Sequence, residues 1–329
     1  MIFNSTKMLF FAFLVFSTII SLSSNNWFGG WMGLEINLMS FIPLMYSSVN
    51  YYSSESSMSY FIIQSSSSTI LLLGIILTSM SIEFSTSVII MFGLMISLGI
   101  APFHMWVPGV MEGLSWFNCL ILSSWQKVAS LMLLSYSFSS YFMVIPILLS
   151  LAFGAIGGIN QSSIKKLMAY SSINNVGWIV AGMMISMSVW LSYFIIYFLM
   201  IFLLMILFNK ENVNYVNQLF MTTFSSSIKL LFSIMMMSLG GLPPLLGFLP
   251  KWVIIQYMIM SEWYFLILFM VLFSLITLFY YIRMCATMML VNFDKFKLNK
   301  VLSKFNSSYV MIITNIFGFV FIMFLKFII

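Results

Sequence analysis

Apolar runs long enough to cross a bilayer recur along almost the whole chain, with only short polar breaks between them. A bilayer core about 30 Å thick needs roughly 20 consecutive apolar residues in a helix. In lipid every backbone N–H and C=O must also be satisfied internally, which leaves the helix as the natural form for such runs. The 329 residues are 62% hydrophobic and 6% charged, whereas a soluble domain carries roughly 25% charged residues. The chain therefore lacks the polar surface to fold in water. It reads as one all-α, polytopic membrane domain over 1–329, with no soluble domain left over.

The runs predict helices near 8–24, 28–46, 58–80, 86–106, 114–135, 142–161, 166–187, 190–208, 228–260, 263–288 and 309–328. The 228–260 run is too long for one simple span and contains Gly240-Gly241-Leu242-Pro243-Pro244. Proline removes a backbone donor and clashes with the preceding turn, so this run is expected to be one discontinuous helix that crosses once. A second proline-interrupted helix lies around Pro102. Two broken helices, one in each half of the chain, are a mark of transporter architecture. The total is about eleven crossings.

Charge tests that count. With an odd number of crossings, Lys7, Lys165, Lys166, Lys210, Lys295, Lys297, Lys300 and Lys304 share the N-terminal side, and Lys326 lies opposite. The positive-inside rule then puts the N-terminus on the matrix or cytoplasmic side. Nothing near Lys7 resembles a cleavable transit peptide. The abundance of Met (31) and Phe (35) fits an AT-rich genome, so synthesis inside an organelle is expected.

Within this oil stand a few isolated ionisable groups. A charge at mid-bilayer costs about 2.5–3.5 kcal/mol on insertion scales, and such residues mark ion or proton pathways. Glu35 lies in Trp31-Met32-Gly33-Leu34-Glu35-Ile36-Asn37. Gly29, Gly30 and Gly33 thin the helix there and are expected to let a neighbour or water reach the carboxylate. Lys127 shares a helical face with Ser123, Ser124 and Ser130 by three- and four-residue spacing, a polar stripe suited to water and ammonium. Lys251 follows the break in its helix, where the carbonyl end of the half-helix at Gly240 favours a cation. His104 sits in the other broken segment, where it serves either as a packed residue or as a proton relay. Each group also has a plainer reading: a neutral interface acid for Glu35, surface snorkelling for the lysines. The serine tracts at 53–57 and 65–68 resemble low-complexity sequence, with hydroxyls that bond back to their own helix.

Other chemistries lack their residues. Cys119 and Cys285 have no Cys or His neighbour at ligand spacing, and His104 is the only histidine. A disulfide, a metal site and a bis-histidine haem are therefore not expected. No glycine-rich turn follows a strand, so nucleotide binding has no support. The lysines lie at helix ends and in one short loop, which fits membrane topology and not nucleic-acid binding.

Five segments occur in a telling order. They are Trp31–Asn37, Ala101-Pro102-Phe103-His104-Met105-Trp106-Val107-Pro108, Trp125-Gln126-Lys127, Asn160–Ser172, and Gly240 through Pro250-Lys251-Trp252. Together they resemble, over essentially the whole chain, the animal-type subunit 2 family of the antiporter-like membrane subunits of respiratory complex I, the mitochondrial NADH:ubiquinone oxidoreductase. The resemblance implies a fourteen-helix antiporter-like fold shortened by three helices, which agrees with the independent count. It implies that Glu35, Lys127 and Lys251 match the family's proton-transfer glutamate, central lysine and distal lysine, with His104 in the Ala-Pro-Phe-His motif. It places the chain among the other membrane-arm subunits in the mitochondrial inner membrane. Flavin, iron–sulfur clusters and the main quinone site are expected in other subunits, so this chain holds no cofactor.

Two positions depart from the family pattern. Ser97 stands where a lysine usually pairs with the glutamate, and Asn175 where vertebrate relatives often have histidine. Glu35 is therefore expected to couple through water or directly to Lys127, or to a neighbouring subunit. In the expected mechanism, a change of field at Glu35 alters the proton affinity of Lys127. The proton then passes by ordered water toward Lys251. A stand-alone cation/proton antiporter and a non-pumping relay or scaffold are the other readings.

Overall fold

A computed structural model describes residues 5–47, 50–80, 83–221 and 226–290. Its helices are α1 (Ser5–Ser23), α2 (Trp27–Met45), α3 (Tyr51–Ser79), α4 (Glu83–Leu98), α5 (Trp106–Gly113), α6 (Trp116–Ser123) and α7 (Trp125–Tyr136). They continue as α8 (Ser140–Ile159), α9 (Ile164–Met183), α10 (Met187–Glu211), α11 (Val216–Met221), α12 (Ser226–Gly240), α13 (Phe248–Met260) and α14 (Tyr264–Leu290). Every predicted span from 8–24 through 263–288 is met by a helix or a broken pair. The last, 309–328, lies outside the described residues, as does the lysine cluster at 295–304.

Six helical segments among the described residues are long and apolar enough to cross a membrane on their own. The others fall short for two physical reasons. Polar groups turned inward lower the hydropathy of α2 and α9, such as Asn37 on α2 and Ser171, Ser172, Asn174 and Asn175 on α9. Backbone breaks split the remaining crossings into halves. α9 is buried on nearly every side, so protein rather than lipid surrounds its polar middle.

The loops show how the described middle of the chain crosses. Lys165 Nζ donates to the carbonyl of Leu114 at 2.6 Å, and Lys166 pairs with Glu112 at 2.7 Å. The Ile164 N–H bonds the Asn214 carbonyl and the Val216 N–H the Ser162 carbonyl, both at 2.9 Å. The loops at 112–115, 160–166 and 212–216 therefore meet on one side. This requires α6 with α7, α8, α9 and α10 each to cross once. Further along, Cys285 Sγ, late in α14, reaches the Ser233 carbonyl, midway along α12. Gly240, at the end of α12, lies beside Tyr281 and Leu278. That antiparallel pairing holds only if α12 and α13 together make a single crossing, as the sequence predicts.

Two details differ from expectation. α3 starts at Tyr51, so the 53–57 serines form its first turns, and Ser53, Ser56 and Ser57 are buried in the bundle. Tertiary packing here overrides a composition that looks unstructured. The 114–135 span, expected to be continuous, breaks between α6 and α7 at Ser124 (φ −122°, ψ −75°). It joins the Gly99–Met105 turn after α4 and the Gly241–Gly247 segment after α12 as a third interruption.

Candidate functional site

Lys127 lies in the first turn of α7, directly after the Ser124 break, and only 5% of it is exposed. Ser123, Ser124 and Ser130 are buried with it, so the polar stripe read from the sequence points into the protein. The ammonium does not snorkel. It donates a long bond of 3.4 Å to the Ser172 carbonyl on α9 and lies 5.9 Å from the Tyr197 ring centre on α10, within cation–π range. On its other side opens a cavity between α2, α3, α4 and α7 with about 30 Å³ of room for water centres. Gln126, its neighbour in sequence, donates to Asn37 Oδ1 at 3.1 Å and ties α7 to α2.

Lys251 occupies the first turn of α13 and is also 5% exposed. α12 stops at Gly240 because Gly241 takes a left-handed φ of +86°, open to glycine at little cost. That turn leaves the Gly240 carbonyl without its helical donor. Lys251 Nζ donates to it at 3.0 Å, which is the interaction that the helix-end dipole favours. A Cβ on Gly241 would stand 3.1 Å from the same ammonium, so the glycine also makes room for the lysine. The Trp178 ring lies 5.7 Å below the charge.

Between the two lysines runs a strip of uncharged polar groups on α9 and α10. Asn175 donates to the Ser171 carbonyl at 2.9 Å and accepts from the Tyr193 hydroxyl at 2.8 Å. A second cavity, about 10 Å³ by the same measure, is bounded by Asn175, Tyr193, Tyr197 and Lys251. Tyr197 thus touches both ends: its ring faces Lys127 and its side chain lines the pocket of Lys251. Its hydroxyl is buried and makes no hydrogen bond of good geometry among the described residues, although the Ser172 side chain lies close enough to interact with it. A group of this kind is free to pair with water.

Glu35 and His104 lie elsewhere. Glu35 is half-buried and falls on one stripe of α2 with Phe28, Met32 and Met39, which are 54%, 44% and 58% exposed. Asn37, two residues on and so on the opposite face, is the residue that meets α7. Among the described residues Glu35 forms no hydrogen bond or ion pair, and it does not line the cavity beside Lys127. The nearby glycines do not open a path to it. Gly33 backs onto Ser21 and Gly29 onto Ser24, so they seat α1 on the face away from the carboxylate. His104 is buried in the turn after α4, stacked on Phe153 at 4.6 Å with Nδ1 3.3 Å from the Pro102 carbonyl. It borders neither cavity.

Several members of this site were not picked out from the sequence. Tyr193 and Tyr197 are hidden because a tyrosine hydroxyl scarcely changes the apolar look of α10. Ser67, Ser68 and Gln64 were visible as a polar tract inside an apolar span, and that signal was sufficient to suspect a wet face.

Residues 24–277 match the family described as NADH:quinone oxidoreductase/Mrp antiporter, transmembrane. A protein of Anopheles gambiae named NADH-ubiquinone oxidoreductase chain 2 is 44% identical over 296 residues, which span 87% of both chains. Its namesake from Locusta migratoria is 41% identical over 91% of both chains. A chain of respiratory complex I from Thermus thermophilus, solved with bound aureothin, superposes with a TM-score of 0.80 at 19% identity. It matches 87% of this chain and 71% of its own, which speaks for the fold. Broken helices, intramembrane lysines and these likenesses agree: the chain belongs to the NADH:quinone oxidoreductase/Mrp antiporter family, among the proteins named NADH-ubiquinone oxidoreductase chain 2.

Proposed function

We propose that this chain is a core membrane-arm subunit of the proton-pumping NADH:ubiquinone oxidoreductase of the mitochondrial inner membrane. It contributes to the enzyme by helping couple quinone reduction to proton translocation. The observation that carries this reading is the pair of lysines, Lys127 and Lys251, buried at the two ends of one uncharged polar strip. A lysine there holds or releases a proton according to the field around it. Asn175, Tyr193 and Tyr197 offer hydrogen-bonding groups between the two. Flavin, iron–sulfur clusters and the main quinone site belong, in this reading, to other subunits.

Glu35 acts outward. A carboxylate at mid-depth among exposed apolar side chains is costly against lipid, so its stripe on α2 meets a neighbouring membrane-arm subunit. It signals to Lys127 through α2 itself, whose far face holds Asn37 against Gln126. His104 serves as the buried pin of the turn after α4, with proton exchange reserved to the lysines and Glu35. The N-terminus faces the matrix, because the loops that meet on its side of the bundle carry Lys165, Lys166 and Lys210.

The test is substitution in the assembled complex. Lys127→Met and Lys251→Met are each expected to slow proton pumping driven by NADH oxidation by about tenfold or more, equivalent to about 1.4 kcal/mol in an activation barrier, with assembly intact. Full pumping in both variants, with assembly lost only when the chain is removed, would leave a scaffold.

A further inference from the structure

α14 brings two tyrosines against the polar strip. Tyr280 and Tyr281 are fully buried, with ring centres 4.5 Å apart. With Tyr197 they contribute three buried hydroxyls that make no hydrogen bond of good geometry among the described residues. The three lie within electrostatic reach of one another, and the Tyr281 side chain is close enough to those of Tyr280 and Ser171 to interact with them. A buried hydroxyl without a partner is costly. Three gathered in one place point to a partner that they share.

Water fits that role. A buried water takes two to four polar partners, and it donates to one hydroxyl while accepting from another. The pocket bounded by Tyr193, Tyr197 and Lys251 has about 10 Å³ for water centres, roughly the room of one water.

The tyrosine pair also reaches away from the strip. A Cβ on Gly240, at the break of α12, would meet Tyr281 Cδ2 at 3.4 Å, so Tyr281 packs at the helix end that holds Lys251. A Cβ on Gly158 would meet Tyr280 Cε1 at 2.9 Å and Cζ, the carbon that bears the hydroxyl, at 3.4 Å. Gly158 is the last residue but one of α8, and Asn160, two positions on, is exposed in the loop that follows. Two adjacent residues of α14 therefore join the α12 break to the face of the bundle that carries the 160–166 loop.

We propose that Tyr197, Tyr280 and Tyr281 hold a water and form a branch of the strip, through which Lys251 exchanges protons with the face carrying the 160–166 loop. When a hydronium gives its proton to the branch at the loop, each oxygen along it forms one O–H bond as it breaks another. The last hydrogen forms an N–H bond on the Lys251 amine. Water and an ammonium remain, every tyrosine is neutral before and after, and no electron moves. The reverse sequence discharges the lysine. The proposal rests on Lys251 exchanging protons.

The experiment uses the assembled complex carrying Tyr280→Phe with Tyr281→Phe, which keeps both rings and removes both hydroxyls. Proton pumping driven by NADH oxidation is expected to slow by about fivefold or more, the scale of one lost hydrogen bond, and the melting temperature to fall. Dry, unpartnered hydroxyls predict the reverse. Their removal would raise the melting temperature or leave it unchanged, with pumping untouched, and that result overturns the branch. A lower melting temperature with normal pumping overturns it too, because the water would then be structural only. Lys251→Met is measured in parallel. If it pumps normally, the underlying reading fails; if it pumps slowly while the phenylalanine form pumps normally, the branch alone is lost. Should the double variant fail to assemble, Tyr280→Phe by itself asks the same question at the loop end. A water-resolving map of the unmodified complex decides independently: an ordered water bonded to at least two of the three hydroxyls is expected, and dry packing among them overturns the proposal.

Discussion

Lys127 and Lys251 have the same exposure, 5% each, and both follow a break in their helix, yet they are held in different ways. Lys251 sits at the carbonyl end of α12, with a 3.0 Å bond to Gly240, a ring beneath it and about 10 Å³ of free space. Lys127 has a single 3.4 Å bond and faces about 30 Å³ of polar cavity. One ammonium is fixed by backbone geometry, and the other keeps room to turn. A relay needs both kinds: a station that moves between partners and a station that holds a proton in place until the next step. The difference comes from the breaks. A left-handed glycine frees a whole helix end for Lys251, whereas the Ser124 break keeps its own bonds, the N–H to Leu120 at 3.1 Å and Oγ to Leu120 at 2.5 Å.

The sharpest way to break this comparison is at the two breaks. Gly241→Ala forces a side chain into a left-handed conformation, which costs about 1–3 kcal/mol, and drives a methyl against the Lys251 ammonium. We expect a loss of at least about 2 kcal/mol once the overpacking is added, read as a lower melting temperature of the assembled complex or its absence on a native gel. Ser124→Ala removes one hydroxyl bond and is expected to cost about 1 kcal/mol. Equal losses would mean that the two breaks are not built differently.

A smaller contrast is expected between Lys127→Arg and Lys251→Arg. Arginine keeps the charge and cannot be deprotonated, so proton transfer should fail in both. Stability should not follow suit. The roomy site at 127 is expected to accept the guanidinium within about 1 kcal/mol, and the tight site at 251 to lose about 1–3 kcal/mol by overpacking. Thermal melting of the two assembled variants checks the order, and a less stable Lys127→Arg would reverse the assignment of roomy and tight.

Much of this arrangement was legible in the sequence because it follows from periodicity and backbone chemistry. The crossing pattern came from run length, and the single crossing of 228–260 from lysine placement. The hold of Gly240 on Lys251 came from the position of Gly241-Leu242-Pro243-Pro244. Residues whose roles depend on rotation about a helix axis were not legible. Glu35 reads like a partner for Lys127, but a two-residue step along α2 separates the outward carboxylate from the inward Asn37. Tyr193 and Tyr197 reach Asn175 and Lys127 from α10 only because that helix packs on α9. The Ser124 break has no proline or glycine to announce it.

The central claim is that Lys127 and Lys251 communicate through the strip formed by Asn175, Tyr193 and Tyr197. Its most direct test is a map of the assembled complex during turnover at a resolution that places water. The account predicts ordered water hydrogen-bonded to the Tyr197 hydroxyl and bridging toward both ammonium groups in at least one state. Continuous dry packing between Tyr197 and Lys251 in every state would contradict it.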